Sequence, residues 1–202
     1  MSEVKKNKVV IVAGDLTYKE VFGEFVTELG FNPNSGVELP KESNSGTDSD
    51  DEELRQALDK LVEGNHSVLI VGKARSGRTT LLKRLVRQKA KANTGVVVMD
   101  EVRIEHLSKA CEELRTNGVK EGEDVSIIAT MVGSNVDDCL DTFFSYCDEV
   151  DSDGAVALSE KPIDVVVLME DGKIVGLFAT RKHAVDGHRL VDLDPSSNKR
   201  VL

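Results

Sequence analysis

Residues 68–80 read VLIVGKARSGRTT, and this stretch decides the fold. A run of apolar residues enters a G-x-x-x-x-G spacing and is followed by a basic residue and two threonines. Glycines at that spacing let the backbone curl so that successive N–H groups face one point, and a helix opening at Thr80 adds the positive end of its dipole. This is how a phosphate-binding loop is written. Gly72, Arg75, Ser76, Gly77, Arg78, Thr79 and Thr80 are the candidate phosphate-contacting residues, and the Thr79 hydroxyl is the candidate Mg²⁺ ligand. A glycine turn that binds nothing is the plainer alternative; the strand before the loop and the helix after it weigh against that.

One position departs from the usual pattern. Arg78 stands where such loops carry lysine, a compact charge that follows the β- and γ-phosphates. Arginine keeps the charge but is longer, planar and forked. Backbone amides and Thr79 supply much of the binding, so nucleotide affinity is expected to persist. Hydrolysis depends on finer placement of charge and is expected to be slow.

Outward along the chain, GVVVMDE (95–101) is a strand ending in two carboxylates. If it lies beside the loop, Asp100 holds Mg²⁺ through water and Glu101 polarises the attacking water. Glu101 and Arg78 are therefore the candidate catalytic residues, with Thr79 and Asp100 the metal pair. IIATMVGSN (127–135) is a buried strand whose Thr130 is placed to sense the γ-phosphate. Ser134 or Asn135 as an N-cap of the next helix is an equal alternative reading of that segment. The four histidines share no spacing and read as surface or loop residues. Lys83, Arg84, Arg87, Lys89 and Lys91 read as a solvated helix face.

Continuous apolar strands at 67–71, 95–99 and 125–130 alternate with amphipathic helices, which argues for a parallel sheet covered on both faces. Near the end, Asp171-Gly172 separates two β-rich runs, the strongest short signal for a hairpin. The expected fold is α/β: a three-layer, P-loop NTPase-like sandwich with a mostly parallel sheet and an antiparallel hairpin over 163–179. HRLVDLD (188–194) adds a candidate further strand. Residues 1–31 read as a strand and a helix over 17–29, residues 32–51 as a Ser- and acid-rich linker, and 52–202 as the P-loop domain.

Composition sets the outer limits. The chain of 202 residues is 40% apolar with only 4% aromatic residues, so Val, Leu, Ile and Ala must build the core. A net charge of −10 and few stacking rings argue against nucleic acid as a partner. Cys111, Cys139 and Cys147 have no metal or disulfide spacing and read as reduced thiols. With no targeting segment and no apolar run of the roughly 18–20 residues a span needs, a cytoplasmic protein without direct membrane insertion is expected.

The order of these parts resembles the type II and type IV secretion ATPases, the traffic ATPases of secretion, pilus and conjugation machines. LRQALDKLVEGNHSVLIVGKARSGRTTLLKRL is similar to that family's helix, strand, loop and leucine-rich helix. MDEVR and IIATMVGSNVDDCLDTF are similar to its acidic motif with arginine and its following strand and helix, and IDVVVLMEDGKIVGLF resembles its closing strands. Arg78 replaces the family's lysine and Val132 its histidine. The resemblance covers about residues 52–180. It implies ATP and Mg²⁺ as cofactors, slow hydrolysis, a homo-oligomer such as a ring, and membrane-machine proteins as partners. The other readings are a nucleotide-dependent switch or assembly subunit that does not hydrolyse and a small-molecule phosphotransferase, for which no arginine-rich lid follows Thr130.

Overall fold

A strand rich in β-branched residues that is apolar on both faces can only be stable inside a sheet covered twice. VLIVG, GVVVMD and VSIIATMV are of this kind, and each is buried along nearly its whole length. The computed structural model describes residues 10–14, 16, 49–63, 66–91, 95–116, 125–151, 163–183 and 187–192.

In chain order the elements are β1 (Val10–Gly14), α1 (Ser49–Glu63), β2 (Val68–Gly72), α2 (Arg78–Lys91), β3 (Gly95–Asp100) and α3 (Ile104–Thr116). These are followed by β4 (Val125–Val132), α4 (Val136–Asp151), β5 (Val165–Glu170), β6 (Lys173–His183) and β7 (Gly187–Asp192). They form one seven-stranded sheet in the order β1-β3-β4-β2-β5-β6-β7. The strands from β1 to β5 run parallel, and β6 and β7 are antiparallel.

Alternation along the strands sends side chains to opposite faces, so two cores result. On one face Leu58 and Val62 of α1 and Leu82 and Leu85 of α2 meet Val68, Ile70, Val98 and Ile128. On the other, Leu107 and Leu114 of α3 and Leu140 and Phe143 of α4 meet Leu69, Val71, Val97 and Ile127. The architecture is three-layer α/β.

The hairpin turns where the sequence places it. Asp171 has φ 47 and Gly172 φ 81, the left-handed pair that an Asp-Gly turn supplies at little cost. The pairing of β5 with β6 shifts between Leu168 and Met169, and β7 adds the third antiparallel strand.

Several boundaries differ from the sequence reading. Residues 49–51, assigned to the linker by composition, form the first turn of α1, where Ser and Asp are favoured. Strand β4 runs on to Val132, and α4 extends to Asp151 because Cys147 and Val150 still face the core. Strand β1 pairs with the outer side of β3 and shares both cores. The helix expected over 17–29 and the linker residues 32–48 lie outside the described residues.

The basic helix face needs a correction. Lys89 is 1% exposed, and its Nζ donates to Val62 O at 2.8 Å. Arg84 pairs with Asp59 at 2.6 Å. Both residues face α1, because α2 packs on α1 as well as on the sheet and polar ends are caught in that seam.

Candidate phosphate site at the carboxyl edge of the sheet

The loop between β2 and α2 wraps over the carboxyl ends of the central strands. Two residues take the left-handed region, Arg75 at φ 67 and Gly77 at φ 92. Gly72 is required for a different reason: a Cβ there would strike the Ser76 hydroxyl and lie 2.6 Å from Met169 O. The loop is also gripped from outside. Gly172 N donates to Ser76 O at 3.1 Å, and Arg55 of α1 donates to Gly172 O at 3.0 Å. The hairpin turn is thus fixed onto the loop. Nothing in the sequence signals this contact, since Arg55 and Gly172 are 117 positions apart.

Helix α2 begins at Arg78 with no acidic residue in its first turn, whereas α3 carries Glu105 there and α4 Asp137 and Asp138. The amides of Gly77, Arg78, Thr79 and Thr80 have no acceptor among the described residues. Open N–H groups and an uncompensated dipole end favour an anion. Ser76 Oγ and Arg78 Nη1 are buried without a hydrogen-bond partner among the described residues. Leaving such groups bare costs about 1–3 kcal/mol each.

The acidic strand is not the neighbour of the loop strand. Strand β4 lies between β2 and β3. Contact is made from above the sheet edge, where the Thr79 hydroxyl lies 3.1 Å from each carboxylate oxygen of Asp100.

Thr130, wholly buried in that intervening strand, holds the two acids. Its hydroxyl donates to Asp100 Oδ1 at 2.7 Å and accepts from Glu101 N at 2.7 Å. Val102 N donates to Thr130 O at 2.8 Å. Glu101 itself is in the left-handed region at φ 54, an uncommon place for a glutamate. The Thr130 hydroxyl is thereby committed to positioning the acids, which accounts for it without a γ-phosphate contact. The helix after β4 is capped by Asn135, whose Oδ1 accepts from Asp137 N at 3.0 Å and Asp138 N at 3.4 Å.

Glu101 lies between two guanidinium groups. Arg78 Nη2 is 3.7 Å from Oε1 and Arg103 Nη2 3.5 Å from Oε2. His106 Nδ1 lies 2.8 Å from Glu101 O, so this histidine on α3 adjoins the site instead of standing free on the surface. Arg103 is the arginine of the MDEVR stretch, and His106 is carried to the acidic turn by the first turn of α3.

On the α3–α4 side Glu101 also borders a cleft of about 420 Å³, with Arg103, Asn135, Asp138 and Tyr146 on its walls. The Cys139 thiol at its base is pushed above its ordinary pKa by burial first and by Asp138 second, with Arg78 acting in the opposite direction.

Thr79 and Asp100 are two oxygen donors with a single carboxylate. That set fits Mg²⁺, which keeps several waters and takes one or two carboxylates together with substrate phosphates. Among the described residues no group of three or more His, Cys, Asp or Glu side chains could hold a metal, so a cation here would be held only in part by protein. Among those residues, too, no helix is long and apolar enough to cross a membrane. Neither a protein-family model nor a curated protein matches this chain.

Proposed function

We propose that this chain binds ATP with Mg²⁺ at residues 72–80 and hydrolyses it slowly, as a P-loop ATPase related to the secretion, pilus and conjugation motors. The observation that carries the reading is the contact of Thr79 with Asp100 at the mouth of the loop, across an intervening strand. A glycine turn that merely joined a strand to a helix would have no need of a hydroxyl and a carboxylate converging there.

In this reading the amides of 77–80 and the α2 dipole bind the phosphates, and Ser76 Oγ and Arg78 Nη1 gain the partners they lack. Thr79 and Asp100 hold the cation, which when bound neutralises charge on the β- and γ-phosphate oxygens. Glu101 orients the attacking water, held in place by Thr130. The link to traffic ATPases, and with it a homo-oligomeric assembly and membrane-machine partners, rests on the order of the motifs.

One observation favours the second reading, a nucleotide-dependent switch with little hydrolysis. Glu101 is engaged by both Arg78 and Arg103, so its carboxylate oxygens are not free to orient a water until one of those contacts opens. Phosphate release from ATP and Mg²⁺ distinguishes the two. Arg78→Lys is expected to raise turnover about tenfold, equivalent to about 1.4 kcal/mol in the barrier. Binding by both forms with release by neither would favour the switch. Calorimetry showing no nucleotide binding by folded protein would refute both. Thr79→Ala should weaken Mg²⁺-ATP more than metal-free ATP.

A further inference from the structure

The hairpin between β5 and β6 lies against both glycines of the phosphate loop. A Cβ on Gly72 would lie 2.6 Å from Met169 O, and one on Gly77 would lie 3.3 Å from Gly172 Cα and 3.4 Å from Met169 Cε. The hairpin is irregular at the same level: Leu168 pairs with Gly176 but Met169 with Ile174, which leaves Val175 as an extra residue on β6. A bulge of this kind bends and twists the strand that carries it. The turn beyond it rests on the loop, with Gly172 N donating to Ser76 O at 3.1 Å and Arg55 Nη2 donating to Gly172 O at 3.0 Å.

The bond from Gly172 fixes a peptide plane. A trans peptide holds its C=O and N–H antiparallel. With the Ser76 carbonyl turned to the hairpin, the Gly77 N–H is turned away from it, and that amide has no acceptor among the described residues. Gly77 sits at φ 92 and carries no side chain to oppose rotation of the plane. Turned over, the same peptide would show an anion a carbonyl oxygen in place of a donor. The orientation is therefore held from outside the loop.

We propose that Arg55 and Gly172 are positioning residues of the phosphate loop, holding the Ser76–Gly77 peptide so that the Gly77 N–H is offered to a phosphate oxygen. Gly172 acts through Ser76 O, and Arg55 acts through Gly172. A donor set in advance spares the ligand the cost of ordering it. The inference rests on the phosphate-loop reading.

The test uses the full chain, with pyrophosphate binding followed by calorimetry and the Gly77 amide resonance recorded before ligand is added. Glycolate in place of Gly172, introduced by ligation, exchanges only the N–H for an ester oxygen. It is expected to weaken pyrophosphate by about threefold to tenfold, the range of one hydrogen bond, and to move the Gly77 resonance in the free protein. Arg55→Met should move that resonance the same way and weaken pyrophosphate by about twofold to threefold. Its loss should persist at about 0.5 M salt, where a distant charge is screened, and Arg55→Lys should recover most of it. Unchanged affinity in the glycolate chain would overturn the proposal. So would a lowered denaturation midpoint with the Gly77 resonance unmoved, since that is the mark of a purely structural contact. A loss in Arg55→Met that vanishes in salt would remove Arg55 from the assignment. Failure of the unaltered chain to bind pyrophosphate would instead refute the phosphate-loop reading and take the inference with it.

Discussion

The two edges of the central sheet treat buried polar groups in opposite ways. At the amino edge Ser67, Ser126 and Lys89 are each at most 4% exposed, and each finds a partner. Ser67 N donates to Asp164 Oδ2 at 2.7 Å, and its hydroxyl accepts from Ile127 N at 3.0 Å. Ser126 Oγ donates to Gly95 O, and Lys89 Nζ to Val62 O. At the carboxyl edge Thr130 is satisfied twice over, but Ser76 Oγ and Arg78 Nη1 are left bare and Arg75 and Glu101 take left-handed backbone. Evolved interiors rarely leave such groups bare, and strain collects where a ligand repays it. The amino edge is satisfied from within the fold, whereas the carboxyl edge leaves open the groups that the proposed nucleotide would engage.

The strongest test of that contrast is Thr130→Val. It removes the hydroxyl from a buried position and strips partners from both Asp100 and the Glu101 amide, with an expected loss of about 2–3 kcal/mol in chemical denaturation. Thr130→Ser should restore most of it. If Thr130→Val were silent in stability, the acidic turn would be held by something other than this hydroxyl.

A paired comparison of serines sharpens the point. Ser67→Ala leaves the Ile127 amide without its acceptor and should cost about 1–2 kcal/mol. Ser76→Ala removes a buried hydroxyl that satisfies nothing, so stability should hold or rise by up to about 1–3 kcal/mol while Mg²⁺-ATP affinity falls. Equal losses of stability at both serines would erase the distinction between the edges.

An effect confined to a window of pH is expected at Lys89. Burial lowers its pKa from 10.5 to about 8, against the pull of Asp164. Between those two values the unfolded chain binds more protons than the folded one, so this group's contribution to stability rises as pH increases from about 8 to 10.5. Below about 8 the cost of its buried charge is fully present. Lys89→Met should flatten that slope in denaturation midpoints measured across the window, and an unchanged slope would show that Lys89 is not its source.

Much of the fold is written in local patterns. The apolar runs of β2, β3 and β4 and the Asp171-Gly172 turn are visible because burial on two faces and left-handed turn geometry impose composition on a few adjacent residues. The loop is legible for the same reason, as two glycines at fixed spacing between a strand and a helix. The end of α4 is less so, because its last turn is held by side-chain packing rather than by a cap. For Lys89 the charge pattern points the wrong way: a long stem reaches a carbonyl in the seam between α1 and α2, and no local feature of the sequence records that seam.

Local sequence alone established a doubly covered, mostly parallel sheet, the glycine spacing between β2 and α2, the acids at 100 and 101 and the position of the hairpin, all of which depend on neighbours within a few residues. Only the tertiary structure decided that β4 separates the acids from the loop strand, that Thr130 is committed to those acids, that Glu101 stands between Arg78 and Arg103, and that Arg55 and Gly172 fix the loop from outside. The reason is the same in each case. Apart from the pair Glu101 and Arg103, these contacts join residues far apart in the chain, and their partners are chosen by strand order and by the distances left after the cores close, quantities that no short window of sequence contains.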